Sequence, residues 1–201
     1  EKDFETAHPG VDVQISFGSS TTLAQQIAQG AQADLYVSAG TKALDQLSPE
    51  AKAVTPVIIA RNKLEIATPP DNPRNVTGLA DLADPGTAVV LCAETVPCGS
   101  AADQVLAKAG VTAHVVSREV DVKATLAKVS LGEADAAVVY HSDVATSQGG
   151  VLGVEIPDDQ NTTLDYPLLI LTSTDATSAF AAYLTGAEGT AALTASGFLA
   201  P

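Results

Sequence analysis

The chain has 201 residues, 24 of them acidic and 10 basic, for a net charge of −14. That length suits one large domain or two lobes sharing a core, and 46% apolar against 17% charged residues excludes a disordered chain. Three arginines (Arg61, Arg74, Arg118) and seven scattered lysines form no basic stripe, which excludes a nucleic-acid surface. The longest apolar runs, 88–92 and 168–171, are far shorter than the ~20 residues that span a bilayer, so the chain reads as soluble.

In chain order, Val11, Val13, Ile15 and Phe17 alternate with polar residues and predict a strand with one apolar face. Gly18-Ser19-Ser20-Thr21 breaks it, and Leu23, Ala24, Ile27 and Ala28 have helical spacing up to Gly30, with Thr22 and Gln25 spaced as a capping box. A strand at 34–38 and a helix near 42–47 follow. Strand, helix, strand with short loops predicts a parallel βαβ unit. Residues 57–67 are a long apolar strand, and a Pro-rich stretch (Pro69, Pro70, Pro73) closes this part.

The alternation then repeats. Residues 87–92 read as a strand, 93–99 as a loop, 100–109 as a helix stopped by Gly110, and 111–116 as a strand. Val122, Leu126 and Val129 mark the inner face of a helix capped by Asp121. Residues 135–140 are a buried strand with Gly149-Gly150 in the loop beyond, 166–172 a strand, and helices are expected near 176–184 and 188–194. Two βαβ regions joined through 57–67 and 166–172 predict two α/β lobes. The chain would leave lobe one, build lobe two and return.

Three loops carry small or polar residues between a strand and a helix: 18–21, 96–100 and 119–122. In an open α/β sheet such loops face the ligand crevice, and each helix N-terminus offers free amides and about half a positive charge. Several together would hold an oxyanion with no Lys or Arg. Catalytic patterns are absent: no G-x-S-x-G, no P-loop and no H-E-x-x-H. His141-Ser142-Asp143 has triad residue types, but consecutive residues lack triad geometry and read as a loop or cap. Asp158-Asp159 beside Pro157 reads as a surface turn. An enzyme is therefore not expected. Cys92 and Cys98, six positions apart, read as a local disulfide, with two buried free thiols as the alternative; a disulfide would favour an extracytoplasmic compartment. The three histidines form no zinc cluster with them.

At these loops the chain resembles the ModA-type molybdate-binding proteins. The likeness runs from Phe4 to Phe198 and is carried by residues 17–39 (FGSSTTLAQQIAQGAQADLYVSA), Val96-Pro97-Cys98-Gly99-Ser100, Asp121-Val122-Lys123, residues 136–143 (AAVVYHSD) and Tyr166-Pro167. The resemblance implies a type II periplasmic-binding-protein fold, two α/β lobes joined by a two-stranded hinge, with lobe one formed by 1–61 plus 168–201 and lobe two by 62–167. It implies molybdate, and tungstate with it, held as an oxyanion by the Ser20 hydroxyl and amide, the backbone amides of Cys98 and Val122, and the Tyr140 phenol. No cofactor is implied, and molybdenum or tungsten enters only as the oxyanion. The partner would be the membrane permease of an ABC transporter, the location extracytoplasmic with a lipid anchor lying upstream if there is one, and the full-length form a monomer.

Two departures stand out. Family members carry a small residue where Cys98 stands, tolerable because only its amide would touch the anion. The family also begins with a strand ending in Ala-Ser-Leu, whose Ser is a further ligand. The sequence opens at Glu1 inside the helix that follows, with no leader pattern, so a trimmed form with weaker binding and a tendency to associate is expected. The rival readings are a receptor for sulfate or phosphate and the effector-sensing domain of a transcription regulator; the latter lacks a helix-turn-helix and basic charge.

Overall fold

The computed structural model describes residues 1–201. Helix α1 (Lys2–Ala7) buries Phe4, whose ring lies 4.8 Å from that of Phe180 and 5.4 Å from that of Tyr183. Helix α2 (Ser20–Ala28) starts from Ser19, whose hydroxyl accepts from the Thr22 amide at 3.2 Å. The cap is thus Ser19 and not the expected Thr22–Gln25 box. Ser19 is the first hydroxyl residue after Gly18 and has the extended backbone an N-cap needs, while Thr22 is already helical.

The expected strand over 11–17 does not form. These residues pair with no neighbour, the Val13 amide bonds to the Glu5 carboxylate at 2.8 Å, and Phe17 is 89% exposed. Alternation marks a strand only where a partner satisfies its backbone, and none lies alongside. Strand β1 (Leu35–Val37) instead pairs antiparallel with the late strand β7 (Thr163–Ile170), so the first parallel βαβ unit is absent. Lys42–Gln46 is a 3-10 turn, followed by the short α3 (Pro49–Lys52) capped by the Ser48 hydroxyl.

Strand β2 (Val57–Thr68) is the longest and changes partners partway. From Val57 to Lys63 it runs antiparallel to β7; from Leu64 to Ala67 it pairs with β5 (Ala136–Tyr140), and from Glu65 to Thr68 it pairs on its other edge with β6 (Leu152–Glu155). The second βαβ unit does form: β3 (Val89–Cys92) lies parallel to both β4 (Val115–Glu119) and β5. The sheet order is β1-β7-β2-β5-β3-β4, with β6 against β2. Strand β6 went unforeseen, since a four-residue strand containing Gly153 has almost no alternation to read.

Two boundaries move for physical reasons. Helix α4 (Pro97–Ala109) begins three residues ahead of the expected 100, because Pro97 supplies a preset φ at the first helical position and has no amide to satisfy. It ends on Gly110 in the left-handed conformation, φ 68°, and the Val111 amide folds back to Leu106. That turn consumes 111–114, so β4 starts at Val115 and not at the expected 111. Helix α5 (Val122–Ser130) has the expected Asp121 cap, accepting from the Ala124 amide at 2.8 Å. His141–Ala145 is a short helix, α6. Helices α7 (Asp175–Thr185) and α8 (Ala187–Ala195) close the chain near their expected places, and Leu199 bridges back to Arg61.

Four buried clusters share the interior. The largest has 18 residues, including Leu64, Leu91, Val105, Val138 and both cysteines, and sits under β3, β5 and α4. A second of 7 centres on Val129 and Val139. Around β1 and β7 the clusters are small: Ala24, Tyr36, Leu47 and Leu169 in one, Ile59, Leu168 and Ala181 in the other. No helix is long and apolar enough to cross a membrane.

Candidate functional site

Four helix starts are linked side to side by named contacts. At α2, Ser19 takes the Thr22 and Leu23 amides on its hydroxyl and carbonyl, leaving those of Ser20 and Thr21 outside both bonds. Ser20 is buried; its hydroxyl accepts from the Ala39 amide at 2.9 Å and its carbonyl from the Tyr36 phenol at 2.7 Å. At α4, Pro97 has no amide and Val96 offers no capping side chain, so the amides of Cys98 and Gly99 are left uncapped. At α5, Asp121 caps the third residue and leaves the amides of Val122 and Lys123 free of it. At α6 the capping position is Tyr140 itself, again with no side-chain cap.

The links are specific. The Thr21 hydroxyl donates to the Thr95 carbonyl at 3.1 Å, joining the α2 start to the loop before α4. Cys92 and Cys98 form a disulfide with Cα atoms 5.8 Å apart, so the disulfide reading holds and the free-thiol alternative falls. The Thr125 hydroxyl of α5 donates to Cys92 Sγ at 3.3 Å. Lys123 Nζ donates to Asp143 Oδ1 at 2.7 Å, joining α5 to the helix that begins after Tyr140. Ser20, Cys98, Val122 and Tyr140 therefore sit at the heads of four helices tied in one chain of contacts.

Close packing fixes the α4 head. A Cβ on Gly99 would collide with the Ala93 carbonyl oxygen and lie 2.6 Å from that of Cys92. An open cleft of about 760 Å³ separates this head from α2 and the 3-10 turn; its walls include Thr21, Gln25, Lys42, Thr95 and Ser100, while Ser20, Cys98, Val122 and Tyr140 all lie outside its lining.

The electrostatics favour neutral donors. Burial pushes the Tyr140 phenol well above its ordinary range, and the neighbouring Tyr166 and Asp143 add to this, so it stays protonated. It makes no hydrogen bond within the chain. Asp143 Oδ2 is the one buried side-chain oxygen or nitrogen with neither partner nor solvent, so the unpartnered Tyr140 oxygen keeps an opening to solvent. Tyr166 is also pushed up by burial and accepts from Asn62 at 3.4 Å. Asp143 is raised by burial, an effect Lys123 partly offsets.

Some polar features escaped sequence reading. Glu65 is buried on β2 and accepts from His141 Nδ1 at 2.6 Å, and Asn62 donates to Ser142 at 2.8 Å. A carboxylate in the middle of the apolar run 57–67 was the available signal for the first. The cross-cleft contacts of Thr21 and Lys42 had none. No cluster of His, Cys, Asp and Glu could hold a metal ion.

Comparison with known proteins places this geometry. The family model for bacterial extracellular solute-binding proteins matches residues 1–199. A molybdate-binding protein ModA from Mycobacterium tuberculosis (strain H37Rv) is 35% identical, covering 100% of this chain and 78% of its own length. The substrate-binding domain of a putative molybdenum ABC transporter from Clostridium difficile superposes with a TM-score of 0.73 at 27% identity, covering 100% of this chain and 91% of that one. The periplasmic molybdate-binding protein of Azotobacter vinelandii has the same fold, with a TM-score of 0.83 at 20% identity over 100% of this chain and 92% of its own.

Proposed function

Because the chain belongs to the bacterial extracellular solute-binding proteins, and within them to the ModA type, we propose that it binds molybdate and hands it to an ABC importer. It works outside the cytoplasm, where its disulfide is stable. Tungstate, of the same charge and shape, is the second ligand. The proposed donors are the Ser20 hydroxyl and amide, the amides of Cys98 and Val122, and the Tyr140 phenol. The proposed division is lobe one at 1–61 plus 168–201 and lobe two at 62–167, with the anion in the cleft between them.

The observation that carries the residue assignment is Tyr140: a buried phenol, held neutral, with no partner in the chain and an opening to solvent. A donor left in that state is stabilised when an anion arrives. Each hydrogen bond to a charged acceptor contributes about 1.5–3 kcal/mol, so a handful of neutral donors accounts for tight binding without a cation. Donors alone also select a fully deprotonated oxyanion over one carrying a proton, because a bound hydroxyl would meet no acceptor.

Calorimetry with molybdate, tungstate, sulfate and phosphate tests this. One site per chain for the first two and negligible heat for phosphate are expected. Tyr140→Phe should weaken molybdate by roughly 10- to 150-fold while leaving the melting temperature of the ligand-free protein unchanged. Tight sulfate or phosphate with no molybdate would overturn the ligand; unaltered affinity in Tyr140→Phe would remove that residue from the site.

A further inference from the structure

We propose that Lys42 is a cross-cleft latch and the positive charge that draws the dianion to the mouth. This rests on the cleft site proposed above, and it concerns a residue outside the anion's donor set. Lys42 opens the 3-10 turn that follows β1, three residues after Ala39, whose amide holds the Ser20 hydroxyl. Its ammonium donates to the Ser100 hydroxyl at 3.2 Å, and Ser100 lies two residues after Cys98 in α4. One side chain thus spans the 760 Å³ cleft between the segments that carry two of the proposed donors. The Thr21–Thr95 bond at 3.1 Å lies on the same crossing.

The surrounding charge makes the position informative. A chain of net charge −14 repels a dianion at long range. The two carboxylates in the cleft wall, Glu94 and Asp103, face Arg118 at 3.7 and 2.7 Å, and that guanidinium also donates to the Cys92 carbonyl at 3.0 Å. Arg118 is therefore spent on its neighbours. Lys42 is exposed, pairs with no carboxylate and bonds only to a neutral hydroxyl, and its charge offsets the one carboxylate that Arg118 leaves unbalanced in the wall, so without it the mouth is net negative. With the cleft apart, a free ammonium attracts the approaching anion; with the cleft together, the same group bonds across it and slows release.

Stopped-flow tyrosine fluorescence with molybdate, run from low to high ionic strength, separates the two roles. Lys42→Met should associate several-fold more slowly at low salt, with the deficit closing as salt rises, because one attractive charge is gone and screening hides its loss. It should also release about 2- to 5-fold faster, the size of one exposed charged contact. Ser100→Ala should speed release alone, and Lys42→Arg should restore the salt dependence. Ligand-free melting temperatures should be equal in all four proteins, which a merely structural role for Lys42 would not allow. A Lys42→Met protein matching the wild type in salt dependence and in release overturns the proposal. Wild-type protein that gives no molybdate signal overturns the site itself, and the latch with it.

Discussion

The two faces of the cleft are mounted in different ways. The α4 head stands on the 18-residue core, is stapled by Cys92–Cys98, and touches the Ala93 backbone so closely that only glycine fits at 99. The α2 head rests on a cluster of four, Ala24, Tyr36, Leu47 and Leu169, and is positioned by hydrogen bonds to Ala39 and Tyr36. The segment leading into it, 11–17, has no strand partner. One head is fixed covalently and sterically, the other by polar contacts that also occupy the proposed ligand group. Stability and affinity should therefore separate between them: damage at α4 ought to cost both, and damage at α2 mainly affinity.

The largest expected effect comes from a pair of glycines, one on each face. Gly99→Ala drives a methyl into backbone oxygens of Ala93 and Cys92, which no side-chain rotation can relieve. It should destabilise the fold by about 3 kcal/mol or more, lowering the melting temperature by roughly 6–12 °C for a chain of this size. Gly18→Ala meets only Leu23 side-chain carbons, the nearest at 3.4 Å, and should stay within about 0.5 kcal/mol. Thermal denaturation of both ligand-free variants checks this. Equal shifts would show that the two heads are mounted alike.

That asymmetry was only partly legible in the sequence. The second βαβ unit could be read because its strands are continuous apolar runs flanked by real helix signals, Asp121 before α5 and Gly110 after α4. The first could not, because alternation at Val11, Val13, Ile15 and Phe17 states which face would be buried but not whether a neighbour exists to pair with. Family likeness pointed to Ser20, Cys98, Val122 and Tyr140, and the structure brings their four helix heads into one linked chain. The links themselves, Thr21 to Thr95, Lys123 to Asp143 and Lys42 to Ser100, join residues 20 to 74 positions apart and have no local signature.

A smaller effect should follow from opening the staple. The bridge spans a sequence separation of 6, so its entropic contribution is about 2 kcal/mol. Cys92→Ala with Cys98→Ala keeps the Cys98 amide in place and should lower the melting temperature by roughly 4–8 °C, with weaker molybdate binding because the uncapped head is no longer held. Ellman titration of denatured, non-reduced wild type should find no free thiol. A double variant with unchanged stability and affinity would mean that the glycine contact alone fixes α4.

A stability loss smaller than those at Gly99 and at the disulfide is expected at Ser20, and it sharpens the comparison most. Ser20→Ala removes the hydroxyl that accepts from Ala39 at 2.9 Å but keeps the carbonyl that accepts from Tyr36 at 2.7 Å. Ala39 is only half-buried, so its amide can turn to water, and the loss should be about 1 kcal/mol. The same hydroxyl is a proposed donor to a dianion, and losing it should weaken molybdate by roughly 10-fold or more. A Ser accepting from one amide keeps its own proton free to donate, so one atom serves both the mount and the ligand. Affinity should thus fall much further than stability, the reverse of Gly99→Ala. If Ser20→Ala instead loses stability and affinity in equal measure, the α2 head is mounted as rigidly as α4, and Ser20 acts by holding Ala39 rather than by touching the anion.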